Sequence, residues 1–173
     1  MQKIFKKEKV TFGILLILLI IIAELAIHYF AIPGWPAFAV MVFFFLGHAN
    51  KKIIKEILFG GVFGITCCVL SHNFNLLFGT ITSDFTAKVI FVCIFVFSIV
   101  LFKDVLPVIF NDYAFMFFLI SSLAGAYNNP ILIAGVELVG GSFLIAGVIL
   151  IKGVLKRNEH GVQSEVVYKK EHI

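Results

Sequence analysis

Glu137 stands in the stretch "ILIAGVELVGGSFLIAGVILIKG" (residues 131 to 153), which is apolar enough for a bilayer interior, just ahead of the pair Gly140–Gly141. A carboxylate at the centre of a membrane costs about 3 kcal/mol on insertion scales. One that is kept there binds an ion, passes a proton, or glues helices together. On a regular helix, positions 137, 140, 141 and 144 share one face, which would aim the carboxylate and the close-packing glycines at protein rather than lipid. Glu24 and His28 form a second candidate pair at i, i+4. Their side chains can meet and relay a proton, or hold a static interfacial ion pair. His48 and Asn50 in "GHAN", Asp112 in "NDY", and Asn128 and Asn129 in "YNNP" add the polar groups that a passing solute or ion would need. Asn, Gly and Pro in such clusters also serve simply to end helices.

Other chemistry finds no support. An intramembrane protease would need a Gly-x-Ser-Gly nucleophile or paired catalytic aspartates, and a nucleotide site would need a Gly-rich phosphate loop; the sequence has neither. His28, His48 and His72 fall in different apolar segments, without HxxxH, HxxE or CxxC spacing, so neither a metal nor a cofactor is expected. Cys67, Cys68 and Cys93 sit in apolar runs and read as small buried hydrophobes rather than a disulfide framework. Ser121 and Ser122 lie on a helical run where hydroxyls commonly bond back to the carbonyl one turn earlier. Lys103 beside Asp104 reads as a snorkelling pair. No enzymatic activity is expected.

The elements that must position these groups are membrane helices. With 61% hydrophobic residues, 14% charged and 21 Phe in 173 residues, the chain has too little polar surface to cover a soluble globule. Measured against a bilayer core of about 30 Å, or about 20 helical residues, six apolar segments appear. They are Thr11 to Ile32, Trp35 to Ala49, Ile53 to about Leu77, about Ala87 to Phe110, Tyr113 to Tyr127, and Pro130 to Leu155. The first follows a basic leader, "MQKIFKKEK", but it is too long for a signal peptide and lacks a small-x-small cleavage site. It reads as an uncleaved signal anchor. A membrane domain of residues 1–157 and a polar cytoplasmic tail of residues 158–173 are expected.

Six spans put Lys3, Lys6, Lys7 and Lys9, then Lys51, Lys52 and Lys55, then Lys103, then Lys152, Lys156 and Arg157 all on one side. That side should be the cytoplasm, with both termini inside. The cations sit at segment borders, where they meet headgroups, so the net charge of +4 does not call for nucleic acid. Lipid, a small solute or ion, and further copies of the chain in a homo-oligomer are the expected partners.

The segment Pro36 to Ile65 can be laid on Tyr113 to Ile145: each has an Ala-Phe start, a small-residue link with Asn, and a Gly-Gly-x-Phe, at Gly60–Gly61 and Gly140–Gly141. A three-residue insertion separates the landmarks. Halves of about 11–79 and 87–155 with three spans each would run through the membrane in opposite senses, as a 3+3 inverted repeat. Short segments at corresponding positions, here the second and fifth, are the best pointer in a sequence to a translocation site.

The feature order also resembles a known family: "WPAF" opening a short second span, a Lys-rich loop, a Gly-rich third span, and "LAGAYNNPILIAGVELVGGSFLIAGVILIKG" before a basic tail. It is similar to the small bacterial inner-membrane proteins grouped as domain of unknown function 1097, over roughly residues 12 to 157. The resemblance implies a bacterial cytoplasmic (inner) membrane location and carries no catalytic residues. The high Phe content departs from it. The expected function is a small channel or secondary transporter for a small polar or ionic solute, with Glu137 coupling an ion or proton. The alternatives are a substrate-binding subunit of a larger uptake complex, or a structural or regulatory membrane protein.

Overall fold

The computed structural model describes the backbone of residues 7–171 and the side chains of residues 9–157. The leader residues Lys3 and Lys6, and the side chains of Lys7 and of the tail from 158 onward, lie outside the described residues. The chain is all-helical, with no strand among the described residues. Its helices are α1 (Lys7–Phe30), α2 (Trp35–Leu46), α3 (Ile54–Phe78), α4 (Asp84–Phe102), α5 (Asp112–Leu123), α6 (Pro130–Gly135) and α7 (Gly141–Glu171). Short 3-10 turns at Lys51–Ile53 and Ala126–Asn128 lead into α3 and α6, and a π turn at Val136–Gly140 joins α6 to α7. Four stretches are long and apolar enough to cross a bilayer: Lys9–Phe30, Lys51–Phe78, Asp84–Phe102 and Pro130–Arg157. α2 and α5 are shorter, at 12 residues each. At 1.5 Å per residue, each is about 18 Å long.

Local chemistry explains where the helices begin and end. Pro36 sits in the first turn of α2, where its missing N–H costs nothing, and Pro130 opens α6 in the same way. The Ser83 and Asn111 side chains cap α4 and α5 by accepting the backbone N–H of Thr86 and Ala114. α2 stops where His48 and Ala49 turn left-handed, at φ 57° and 53°, and α5 stops at Gly125, φ 65°. Two consecutive non-glycine residues in that region are costly. They are held by backbone hydrogen bonds, the His48 N–H donating to the Phe45 carbonyl at 2.9 Å and the Ala49 N–H to the Phe44 carbonyl at 2.8 Å. Past residue 157 the backbone continues α7 without a break to Glu171.

The helices fall into two compact units, one made of the chain up to Ala31 with Phe143 onward, the other of Ile32–Ser142. In the first, α1 packs on α7 where Gly147 leaves room for Leu19; a methyl group at Gly147 would meet both Leu19 methyls at 2.6 Å. The second unit is built around α3. On one side, Cys67 and Cys68 of α3, Phe95 and Ile99 of α4, and Phe118 of α5 form a buried cluster. Phenylalanine rings interlock there, Phe63 with Phe110 at 4.9 Å and Phe95 with Phe118 at 4.8 Å. All three cysteines are free thiols, with Cys67 and Cys68 buried and Cys93 exposed. Part of the Phe excess thus makes an interior, which in a membrane must come from close packing because lipid is as apolar as the side chains.

Besides Pro36 and Phe43, α2 buries Ala37, Val40, Met41 and Phe44, and α5 buries Ala114, Phe117, Phe118 and Ser121. Both sets follow the i, i+3, i+4, i+7 spacing of a single helical stripe. α5 lies against α3 and α2 lies against the π turn. Each short helix therefore packs on the Gly-Gly segment distant from it in sequence.

Candidate functional site

The site is assembled at the two Gly-Gly seams. A methyl group at Gly64 would strike the Ala114 carbonyl oxygen and the Phe118 backbone nitrogen, so α3 and α5 touch main chain to main chain. One turn earlier, Gly60 faces the Asn111 amide, and Gly61 faces the Glu137 carboxyl and the Phe117 ring; a methyl at Gly61 would meet Glu137 Cδ at 2.8 Å and Phe117 Cδ2 at 3.0 Å. At the other seam, Gly140 receives Ala37 and Gly141 receives Val40, each within 2.8 Å of where a methyl would stand. Phe43 of α2 closes the space between the short helices, its ring 5.4 Å from Phe117 and 5.7 Å from Tyr113.

Glu137 is fully buried, at 0% exposure, and neither carboxyl oxygen has a hydrogen-bond partner among the described residues. It lies within the π turn. A regular helix would send Glu137, Gly140 and Gly141 to one neighbour, as the sequence suggests. Instead, Glu137 meets α3 and α5 at Gly61 and Phe117, while Gly140 and Gly141 meet α2. A π turn spaces its bonds at i to i+5, so it rotates the residues on either side relative to an α-helix. Such turns recur at functional sites.

The other polar candidates are exposed and do not gather around Glu137. Glu24 and His28 are exposed on α1, and no ion pair links them among the described residues. His48 is exposed in the left-handed turn after α2. Asn50 is exposed and caps the following 3-10 turn, its Oδ1 accepting from the Lys52 amide at 3.0 Å. Asn128 and Asn129 are exposed in the link before α6. Asp112 accepts an ion pair from Lys103 at 3.0 Å, with the side chains 82% and 50% exposed. Lys103 therefore pairs across the α4–α5 loop rather than with adjacent Asp104, because the loop brings the first turn of α5 back to the end of α4.

Two interactions were not read from the sequence. Asn111, not its neighbour Asp112, is the buried member of "NDY". Its Nδ2 lies 3.1, 2.9 and 3.1 Å from the carbonyls of Glu56, Pro107 and Val108, while Oδ1 accepts the Ala114 amide at 3.0 Å. This one side chain ties the start of α3 to the start of α5. The readable signal was the Asn N-cap position ahead of an apolar run. His72 of α3 stacks on Tyr127, ring centroids 4.0 Å apart and 6° from parallel, and fastens the second link to α3. Nothing in the sequence spacing signals that contact. No protein-family model, curated protein or solved structure matches the chain.

Proposed function

We propose that the chain is a small channel or secondary transporter for a small polar or ionic solute, in a bacterial cytoplasmic membrane with both termini cytoplasmic. Its six helical segments form a 3+3 inverted repeat in which α2 and α5 are short spans. The repeat is supported by the equal lengths of α2 and α5, their matching buried stripes and their left-handed ends. It is supported further by the exchange of partners, with Ala114 and Phe117 at the first Gly-Gly segment and Ala37 and Val40 at the second. An interrupted helix at the seam between two repeats is where transporters of this architecture hold their solute.

The observation that carries the reading is Glu137: a fully buried carboxyl without a hydrogen-bond partner, on a π turn, inside a helix apolar enough to span a bilayer. Such a group is expensive to keep, and in membranes it marks an ion or proton path. Flux measured in proteoliposomes, over small cations, anions, neutral amides and short carboxylates, tests the reading. Wild type moves a solute that Glu137→Gln, folded and inserted to the same extent, does not. Equal flux through both proteins would remove Glu137 from the path.

A further inference from the structure

The surroundings of Glu137 decide which ion it can take. Its carboxyl is fully buried, and neither oxygen has a partner among the described residues. A methyl at Gly61 would strike it, so the carboxyl packs directly on that glycine, with the Phe117 ring at the same place. The amide of Asn111, at the adjoining Gly60, is already engaged. Its nitrogen lies within hydrogen-bond distance of the Glu56, Pro107 and Val108 carbonyls, and its oxygen accepts the Ala114 N–H.

No counter-charge stands on the elements packed around it. α2 and α6 carry no ionisable side chain. On α3, Lys55 and Glu56 lie more than a turn before Gly61, and Lys55 is exposed. Further along α3, the Cys67 and Cys68 thiols belong to the buried cluster with α4 and α5, and His72 stacks on Tyr127. On α5, Asp112 is exposed and paired with Lys103, and Tyr113 stands one turn before Phe117. The helical run that holds Glu137 has no other charge before Lys152.

We infer that the ion Glu137 takes up is a proton, held as the neutral acid, a deepening that rests on the transport reading. A charge without a counter-charge is the most expensive group an apolar interior can hold, and a proton removes it. A proton needs a single lone pair. A metal cation stripped of its water needs a shell of oxygens, about six to eight for calcium. Around Glu137 the described side chains offer no second free oxygen, and no group of three His, Cys, Asp or Glu among the described residues could hold a metal.

The test is infrared difference spectroscopy of the purified full-length chain in detergent at neutral pH. Wild type minus Glu137→Gln shows the carbonyl stretch of a protonated carboxyl, and sodium, potassium or calcium chloride added at the same pH leaves it in place. Carboxylate stretches in its stead, or loss of the carbonyl band with any of these salts, overturn the inference. If Glu137→Gln fails to fold, carbon-13 at the side-chain carboxyl of glutamate decides: it shifts the band in wild type, where Glu137 is the one buried carboxyl among the described residues. An unshifted band overturns the inference. In proteoliposomes a pH gradient drives flux where an equal sodium gradient does not. Flux driven by the sodium gradient and abolished by Glu137→Gln removes the proton and keeps the transport reading. The carbonyl band with no flux of any solute keeps Glu137 as a proton-binding group and removes the transport reading.

Discussion

Gly60 and Gly61 make room for Asn111, Glu137 and Phe117, whereas Gly140 and Gly141 make room only for Ala37 and Val40. The residue three positions before each glycine pair is fully buried in both cases, but it is Ile57 in one segment and Glu137 in the other. Close helix approach therefore does not depend on a carboxyl at that place. Ile57 fills it with hydrocarbon, which in lipid has no desolvation cost, while Glu137 fills it with two unpartnered oxygens. The two segments differ again just past the pair, where Gly64 brings α3 onto the backbone of α5 and the second segment has Leu144. The first seam is the tighter of the two, and the polar groups collect against it.

The largest effect comes from widening that tighter seam. Gly64→Ala sets a methyl group against backbone atoms that cannot rotate away, and it should destabilise the protein by about 3 kcal/mol, the upper end for overpacking. A thermal midpoint equal to wild type would mean the helices are free to separate. Asn111→Ala removes the cap of α5 and the bond to Glu56, a loss of about 2 kcal/mol, and denaturant titration should place it well below Asp112→Ala. Glu137→Ile makes the second segment copy the first. It should stabilise the fold by about 1 kcal/mol, because unpartnered oxygens are replaced by packing atoms, while abolishing flux. A destabilised Glu137→Ile would instead show the carboxyl acting as helix glue. Lys103→Ala should change the midpoint least, by at most about 0.5 kcal/mol, because its partner Asp112 is mostly solvated.

The helical class and the sites of the breaks were legible in the sequence because apolar runs, Pro36, Asn111 and Pro130 act locally. The two 12-residue helices were also foreshadowed by the short runs that Pro, Gly and Asn delimit. The π turn was not, since its signature is a change of phase that depends on which neighbours α6 and α7 meet. That is why Glu137 was legible as a carboxyl in an apolar helix but its packing against Gly61 was not. Asp112 and the Asn128–Asn129 pair drew attention as polar residues at helix ends, yet chemistry at such ends is usually met by water or backbone. Ser121 was hidden by the opposite rule: a hydroxyl on a helix normally satisfies itself, as Ser122 does on the Phe118 carbonyl, whereas the buried Ser121 Oγ has no partner among the described residues.

The exchange of partners between seams has a consequence for how the chain is made. Ala37 and Val40 leave the ribosome roughly 100 residues before Gly140 and Gly141. At about 5–20 residues per second, α2 then waits roughly 5–20 s for the surface it fits. During that interval the α2 face of Ala37, Val40, Met41 and Phe44 lacks the segment it packs on. Two fragments divided in the α3–α4 loop would each lack half of both seams, so they should be degraded when expressed alone and accumulate when expressed together.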